Sequence, residues 1–538
     1  NPEKVRQKCL FTVGPSRLWP GASSEELGRY LTAARDLRAG DLVLTERPLC
    51  FGPKAMPDPE ATMPCVGCYK HAICKLGYHC LYLPIRYFNF LNRCGWPVCS
   101  GYCPGLKDPR HHGAECAILS ARPVCVLDNM SDYYRHDALL PLRCVLLQKT
   151  DPEGWKQLLE MQSHMECRLP GSEAFDEANE FIVEYLINNF IRNLDGNNNT
   201  QGITPELLHR ICGIIDTNAL EIRLAEGAEL NALYANTCKM EHSCVPNTKH
   251  FFRSTPKDKK DLYAITIKVV VPVVKGSHIS TMYSHALWGT QARRQHLKDT
   301  KYFSCKCKRC SDPTELGTYL SAMRCLGDGV NPCDGVHLPD DPLDDETDWS
   351  CNKCSAKVSN AQVNMLISQM GEEVENVLMM GGSVTLLENI ICRLSMFLHS
   401  NHYHLYSLKH SLVQLYGRQP GYTSQAILDK KIKMCRELIS ITKSLDQGNA
   451  RLSLYNSVLQ HELHSALVMK SNKANDDGSG KTLEEIKTML SEAKHAIDDA
   501  LSSLKDDMEE TSAKKLKEVI IDSKRDFEKI CKENKLVF

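Results

Sequence analysis

Apolar and polar positions change their rhythm several times along the chain. Near the start, Leu42-Val43-Leu44-Thr45 alternates after the turn Arg35-Asp36-Leu37-Arg38-Ala39-Gly40-Asp41 and ends at Pro48. A period of two bounded by turn residues predicts a strand. From about 121 to 215 the spacing lengthens. Trp155, Leu158, Leu159 and Met161 crowd one face, and Phe181, Ile182, Tyr185, Leu186, Phe190 and Ile191 continue the period, which predicts helix. Asp195-Gly196-Asn197-Asn198-Asn199-Thr200 reads as a loop inside that block. Strands return between about 216 and 290. There Tyr263, Ile265, Ile267 and Val269 alternate with Ala264, Thr266, Lys268 and Val270, and Lys275-Gly276 turns the chain into Ile279-Ser280-Thr281-Met282-Tyr283. From about 360 onward the spacing is helical, with segments at 384–398, 403–416, 424–442, 450–469 and 482–504 and a last charged, amphipathic stretch. The loop Asn475-Asp476-Asp477-Gly478-Ser479-Gly480 interrupts it.

Composition changes this picture at one residue type. At 538 residues the chain exceeds the roughly 250–300 residues at which a single core stops growing, so several domains are expected. The apolar fraction of 42% and charged fraction of 24% are those of a globular protein. A net charge of −1 gives no field for nucleic acid or an anionic membrane, and no apolar run approaches the roughly 20 residues of a membrane span. Asn1-Pro2-Glu3-Lys4 does not read as a signal or transit peptide. Cysteine stands apart: most of the 26 lie between Cys65 and Cys116 or between Cys305 and Cys354. CxxC and CxC spacings in a long chain read as thiolate metal sites in a reducing compartment, the nucleus or cytoplasm, with zinc as the metal. Cys212, Cys392, Cys435 and Cys531 sit alone in helical patterns and are expected as buried small hydrophobes.

The first cluster contains Cys65-x2-Cys68, Cys94-x4-Cys99-x3-Cys103 and His112-x3-Cys116. Zinc takes four tetrahedral thiolate or imidazole ligands, so eight ligands make two sites. Cys94 has no partner at CxxC spacing, because that position is Leu91. Cys80 is the substitute, with residues 82–92 looped out, and Cys74 is the runner-up. His111 and His79, beside ligands, are expected as solvated histidines. Further on, Cys305-Lys306-Cys307-Lys308-Arg309-Cys310 is one thiolate short of a tetrahedral site. Cys325-x7-Cys333 and Cys351-x2-Cys354 form a zinc-ribbon-like set. The intervening acids Asp340, Asp341, Asp344, Asp345, Glu346 and Asp348 are expected as a solvated loop.

The first cluster resembles a MYND finger, whose ligands interleave. The resemblance assigns Cys65, Cys68, Cys99 and Cys103 to one zinc, and Cys80, Cys94, His112 and Cys116 to the other. Glu241-His242-Ser243-Cys244-Val245-Pro246-Asn247 resembles the asparagine-His-Ser-Cys-x-Pro-Asn segment of SET methyltransferases. By that resemblance Cys244 completes a post-SET zinc site with Cys305, Cys307 and Cys310. Thr281-Met282-Tyr283 falls where such enzymes keep a catalytic tyrosine, and Trp288-x-Thr290-x2-Arg293-Arg294-x2-Leu297 leads into Tyr302-Phe303-x-Cys305 as it does there. Together these motifs identify the chain as a member of the SET-and-MYND family, and the ribbon resembles an extra zinc element of arthropod members.

The resemblance implies an α+β fold in six blocks. Residues 1–60 would be the first part of a split SET β-fold, 61–120 a MYND-type zinc finger, 121–215 a helical insert and 216–290 the rest of the SET core. Residues 291–360 would carry the post-SET site and ribbon, and 361–538 an all-α, TPR-like domain able to hold peptides. It implies S-adenosylmethionine-dependent methylation of protein lysine, four zinc ions, Tyr283 as the catalytic hydroxyl, and a cofactor pocket of Gly28, Arg29, Asn218, Glu241, His242 and Phe303. Two positions depart from the family pattern. Glu241 replaces an asparagine, so an acceptor-only carboxylate replaces a group that donates and accepts. Tyr30 puts a ring where a glycine lets backbone approach the cofactor. These departures carry the opposing reading: a catalytically weak or inactive adaptor or transcriptional regulator acting through protein binding.

Overall fold

Strands of the first block find their partners far along the chain. In chain order they are β1 Phe11–Val13, β2 Leu31–Ala33, β3 Leu42–Glu46, β4 Cys50–Pro53, β5 Leu220–Arg223, β6 Glu229–Leu233, β7 Glu241–His242, β8 Thr248–Arg253, β9 Ala264–Val269 and β10 Ser280–Thr281. The computed structural model describes residues 11–13, 30–54, 65–69, 94, 96, 98–99, 103–109, 111–121, 135–192, 202–224, 229–253, 261–327, 331–476, 482–505 and 512–533. One antiparallel sheet has the order β3-β9-β8 and a second the order β4-β6-β5. Thr45 stands opposite Thr266, and Phe51 opposite Ala232. The alternation along β3 and β9 puts Leu44, Ile265, Ile267 and Val269 into one apolar core with Leu31, Ile222, Leu230 and Ile279. The strand expected from Ile279 to Tyr283 is shorter: only Ser280 and Thr281 pair, in parallel with β7.

The segments between β4 and β5 are helical and build a second core. Leu139–Thr150 and Pro205–Asn218 pack Leu140, Leu142, Ile211 and Ile214 against Cys65, Cys94 and Trp96. The second helix starts where Thr204 Oγ1 accepts from Leu207 N and Pro205 presets the backbone. The helix over 173–191 departs from the expected period. Asn179–Val183 and Ile187–Ile191 are π-helical, and each wider turn rotates the following face. Phe181 is consequently 39% exposed, under the guanidinium of Arg135 at 4.5 Å.

After the helix Thr290–Lys301 comes a four-stranded meander, β11 Met323–Arg324, β12 Val336–Pro339, β13 Trp349–Cys351 and β14 Lys357–Val358. Helices then fill 360–533: Asn360–Met380, Val384–Leu394, Tyr403–Leu415, Gln425–Leu445, Ser453–Asp476, Leu483–Ser503 and Ser512–Glu533. The 21-residue first member has no counterpart among the expected segments; a Ser359/Gln362 capping box starts it, and Gly381, at φ 70°, ends it. Val384–Leu394 stops at Ser395, short of the expected 398, and its outer face leaves Cys392 exposed. Cys212, Cys435 and Cys531 are buried as expected. In the acidic stretch Asp340, Asp341, Asp344, Glu346 and Asp348 are exposed, as expected of a solvated loop; Asp345 departs, accepting from Arg294 Nε at 3.1 Å and Nη2 at 2.9 Å, because a buried guanidinium draws the nearest carboxylate onto it. Among the described residues no helix is long and apolar enough to cross a membrane.

Candidate active site and metal centres

The segment Glu241-His242-Ser243-Cys244 is pinned on one side by β10, with Ser280 opposite Glu241 and Thr281 opposite His242. Ser243 N donates to Thr281 O at 2.8 Å. Upstream, Glu46 accepts from Asn236 N and Thr237 N at 2.8 and 2.9 Å and so fixes the turn before Met240. Tyr283 donates its hydroxyl to the Met240 carbonyl, and its backbone N–H donates to His242 Nδ1 at 2.9 Å. His242 Nδ1 is therefore the acceptor nitrogen, and Nε2–H faces Cys244 Sγ at 3.2 Å. The His242 ring also lies 5.4 Å from Tyr283 and 5.8 Å from Phe303, centroid to centroid. Burial, reinforced by the charges of Cys238 and Glu241, pushes the Tyr283 phenol well above its ordinary range, so it stays a hydroxyl. Beside it, the Ser284 hydroxyl is buried without a partner, as is the Thr217 hydroxyl next to Asn218.

Asn218 ends its helix with the amide nitrogen committed to the carbonyls of Gln162 at 2.7 Å and Ile214 at 2.8 Å. Only its carbonyl oxygen remains for a ligand. Lys301 Nζ donates to the carbonyls of Asp216 and Thr217 at 2.7 and 2.9 Å, which draws this helix end toward the Tyr302-Phe303 segment. Glu241, placed in the pocket by sequence, contacts His278: Oε2 accepts from Nδ1 at 2.6 Å. Gly28, Arg29, Cys74, Cys80 and His79 lie outside the described residues.

Cys244 meets Cys305, Cys307 and Cys310, with all four sulfurs within 4.8 Å of one another. Corners of a tetrahedron around a metal with bonds of about 2.3 Å stand about 3.8 Å apart; Cys244 and Cys310 are 3.6 Å apart. Behind them, Arg293 donates to Cys244 Sγ at 3.2 Å, Cys310 Sγ at 3.4 Å and Glu315 Oε2 at 2.7 Å. Arg309 donates to the same carboxylate at 3.0 Å. Burial alone would raise the Glu315 carboxyl, but the two guanidinium charges outweigh it and hold it at about 2. Such outer groups orient the thiolates and temper their charge.

Cys65, Cys68, Cys99 and Cys103 form a second set, with Cys65–Cys103 at 3.7 Å and Cys68–Cys99 at 3.6 Å. A Cβ on Gly105 would come 1.8 Å from the Gly67 carbonyl, so only glycine lets these two knuckles close on each other. Cys94, His112 and Cys116 gather as a third, three-membered set, with His112 Nε2 3.2 Å from Cys94 Sγ. The other ring nitrogen donates to Glu115 at 3.0 Å, and Arg143 grips Glu115 with two bonds of 2.7 Å. Arg143 also donates to the carbonyls of Phe51 and Val66, tying strand, knuckle and helix together. His111 is buried rather than solvated. Its Nδ1 donates to Gly67 O at 3.0 Å and its ring stands edge-on to Phe51, because the knuckle's orphan carbonyl needs a donor.

Cys325, Cys333, Cys351 and Cys354 make the last set, with Cys325–Cys354 at 3.6 Å and Cys333–Cys351 at 3.8 Å. Backbone N–H groups of Gly327, Gly335 and Lys353 each donate to a sulfur at 3.3 Å. Three groups of four cysteines thus have the ligand types and spacing of tetrahedral thiolate sites.

No family model matches the chain. Single proteins do. The SET domain-containing protein SmydA-8, isoform A, of Drosophila melanogaster is 29% identical over 369 residues, 67% of this chain and 71% of that protein. The N-lysine methyltransferase SMYD2-B of Xenopus laevis is 26% identical over 34% of this chain and 39% of its own length. The histone-lysine N-methyltransferase ASHR1 of Arabidopsis thaliana is 22% identical over 64% and 65%. These relatives support the SET-and-MYND family for this chain. The insect relative agrees with the arthropod-type membership expected from the ribbon. The solved SET domain of LSMT bound to lysine and AdoHcy aligns over 98% of this chain and 89% of its own at 11% identity, but a TM-score of 0.26 carries no argument.

Several residues of the site were missed by sequence reasoning. Glu115 stands three residues after His112, a spacing that places both on one helical face, so that partnership was readable. Arg143, Glu315 and His278 reach their partners through tertiary folding, and no local spacing signals them.

Proposed function

We propose that this chain is an S-adenosylmethionine-dependent protein-lysine N-methyltransferase. The observation that carries the reading is the placement of Tyr283, a protonated hydroxyl buried against the Met240 carbonyl and locked through its backbone to His242. The lysine-methyltransferase relatives support it and do not favour the adaptor reading. When bound, S-adenosylmethionine supplies a methyl group on a sulfonium. Tyr283 would orient the incoming lysine amine through its oxygen lone pairs while its O–H points at Met240 O, and the buried setting would exclude water. Gly28, Arg29, Asn218, Glu241, His242 and Phe303 would hold the donor, with Phe303 beside the adenine. The orphaned Ser284 and Thr217 hydroxyls fit a site that a polar ligand completes.

The same proposal includes four zinc ions: three in the four-cysteine groups, and one on Cys94, His112 and Cys116 with Cys80 as fourth ligand. It includes the split SET core with its MYND insert, a TPR-like tail over 361–538, a protein or peptide substrate, and residence in the nucleus or cytoplasm. Calorimetric titration with S-adenosylmethionine and transfer of labelled methyl to protein lysine test it. Tyr283→Phe should lower the rate by about 10²–10³, the scale of losing one preorganised hydrogen-bonding group, with zinc content unchanged. A donor-bound wild type that methylates no lysine would overturn the reading.

A further inference from the structure

A cavity of about 310 Å³ lies where the helix Thr290–Lys301, the loop after Cys310, the ribbon and the helix Asn360–Met380 come together. Its size is that of the smaller ligand pockets. Hydrogen bonds between the walls keep it formed. Gln291 Nε2 donates to Asn360 Oδ1 at 2.7 Å, Asn360 Nδ2 to Asp345 O at 2.8 Å, and Thr290 N to Ser321 Oγ at 3.2 Å. A Cβ on Gly289 would come 2.9 Å from Tyr403 Cε1, so the bare backbone there admits the Tyr403 ring.

None of the described residues lining the cavity is a lysine, arginine or histidine, whereas four are carboxylates. Two of the four are matched by cations outside the cavity. Glu315 is held by Arg293 and Arg309, and Asp345 by Arg294 with Lys298 at 3.6 Å. The other two meet no cation among the described residues. Asp312 accepts from the backbone N–H groups of Thr314 and Leu316 and from the Thr314 hydroxyl, and Asp344 from Glu346 N. Trp349 and Tyr403 bring rings to the same walls. Trp349 is 1% exposed, and its indole N–H is buried with no partner among the described residues.

A cleft lined by one sign of charge gathers the opposite sign. Aromatic faces add to the attraction for a cation, and a buried N–H without a partner calls for an acceptor. A basic residue inside a peptide supplies both parts, a cationic side chain and a main-chain carbonyl.

We propose that this cavity receives a basic side chain of a partner polypeptide. Asp312 and Asp344 take the cation, Trp349 and Tyr403 flank it, and the indole N–H takes a main-chain carbonyl. The ribbon, which supplies Asp344 and Trp349, thereby forms one side of a docking site. No residue of the cavity belongs to the proposed methyl-donor pocket, so the two readings stand or fall separately.

Fluorescence anisotropy tests this with a labelled Gly/Ser peptide carrying central arginines, titrated with the full chain in the absence of S-adenosylmethionine. Its citrulline twin keeps the shape and the amides and loses the charge. The arginine peptide should bind at least about tenfold more tightly than the twin, the worth of hydrogen bonds to a charged group. In competition, acetyl-arginine methylamide should outdo propylguanidine, which has no carbonyl, by about threefold to tenfold, the scale of one neutral hydrogen bond. Asp344→Asn together with Asp312→Asn should weaken the arginine peptide by about tenfold or more. Asp344→Lys changes an exposed position and should abolish binding, which keeps the test decisive should the Asp312 loop loosen. Asp348→Asn, an exposed neighbour outside the cavity, should hold affinity to within about twofold. Zinc content and S-adenosylmethionine affinity should be unchanged in Asp344→Lys, which separates this site from the donor pocket. An arginine peptide that does not bind, a citrulline twin or propylguanidine that binds as well as its partner probe, or full binding by Asp344→Lys overturns the proposal.

Discussion

The cysteine cluster around Cys244 and the cluster of the β11–β14 ribbon have the same ligands at nearly the same sulfur spacing, 3.6 Å against 3.6 and 3.8 Å. They differ in what stands behind the sulfurs. Around Cys244 the supporting donor is a buried guanidinium, Arg293, held by Glu315 and seconded by Arg309. In the ribbon the donors are backbone N–H groups from the knuckles themselves. The ribbon is thus encoded locally, by two short turns and a meander. The Cys244 site needs side chains gathered from several elements, and it shares His242 with the candidate active site. Equal ligand sets can therefore carry very different dependence on the rest of the fold.

The largest effect that would break or sharpen this contrast is expected at Glu315. Glu315→Gln strands two buried guanidinium groups, which should cost about 3–5 kcal/mol, the usual penalty for removing one partner of a buried pair. Chemical denaturation measures it. A loss under about 1 kcal/mol, the scale of an exposed pair, would erase the distinction drawn here. The pH sign follows from the depressed carboxyl. Its folded-state value of about 2 lies below the ordinary 4.5, so its contribution is present above the ordinary value and drains as pH falls toward 2. The glutamine variant should lack that part of the acid dependence.

Next in size is a pair of metal-ligand changes. Cys305→Ser should release one zinc and also weaken donor binding, because the Cys244 site and the pocket share His242. Cys325→Ser should release one zinc and leave donor binding alone. Elemental analysis beside calorimetry separates the two, and donor binding lost equally in both would show the ribbon to be no independent unit. Within the first cluster, Cys80→Ser should release one zinc and Cys74→Ser none; the reverse would move the boundary of the looped-out segment. The smallest effect is expected where the ribbon meets the helix Thr290–Lys301. Asp345→Asn removes a half-exposed partner of Arg294 and should cost no more than about 1 kcal/mol.

Much of this was legible in sequence because ligand spacing is a local property. Cys65-x2-Cys68 and Cys351-x2-Cys354 declare themselves within four residues, and the alternation of Ile265, Ile267 and Val269 declares β9. The MYND-type grouping and the capture of Cys244 by Cys305, Cys307 and Cys310 came from resemblance; the sulfurs of the first MYND set and of the Cys244 group do gather, as do three ligands of the second MYND set. What spacing does not carry is the identity of partners brought by tertiary folding. His278 carries no signal of its own between Lys275-Gly276 and Ile279, yet it contacts Glu241 and stacks on Tyr30. His111 was misplaced because burial depends on Phe51 and the Gly67 carbonyl, neither of which is its neighbour in the chain. Phe181 was misplaced because π-helical turns shift the phase of a face without changing its composition.

His242 has one nitrogen committed to the backbone of Tyr283 and the other to the sulfur of Cys244. That arrangement puts two hydrogen bonds between the cysteine group and the proposed catalytic residue. Were a metal held on Cys244 to be stripped by a chelator, the change would reach the backbone of Tyr283 through the His242 ring, without any alteration at the tyrosine hydroxyl itself.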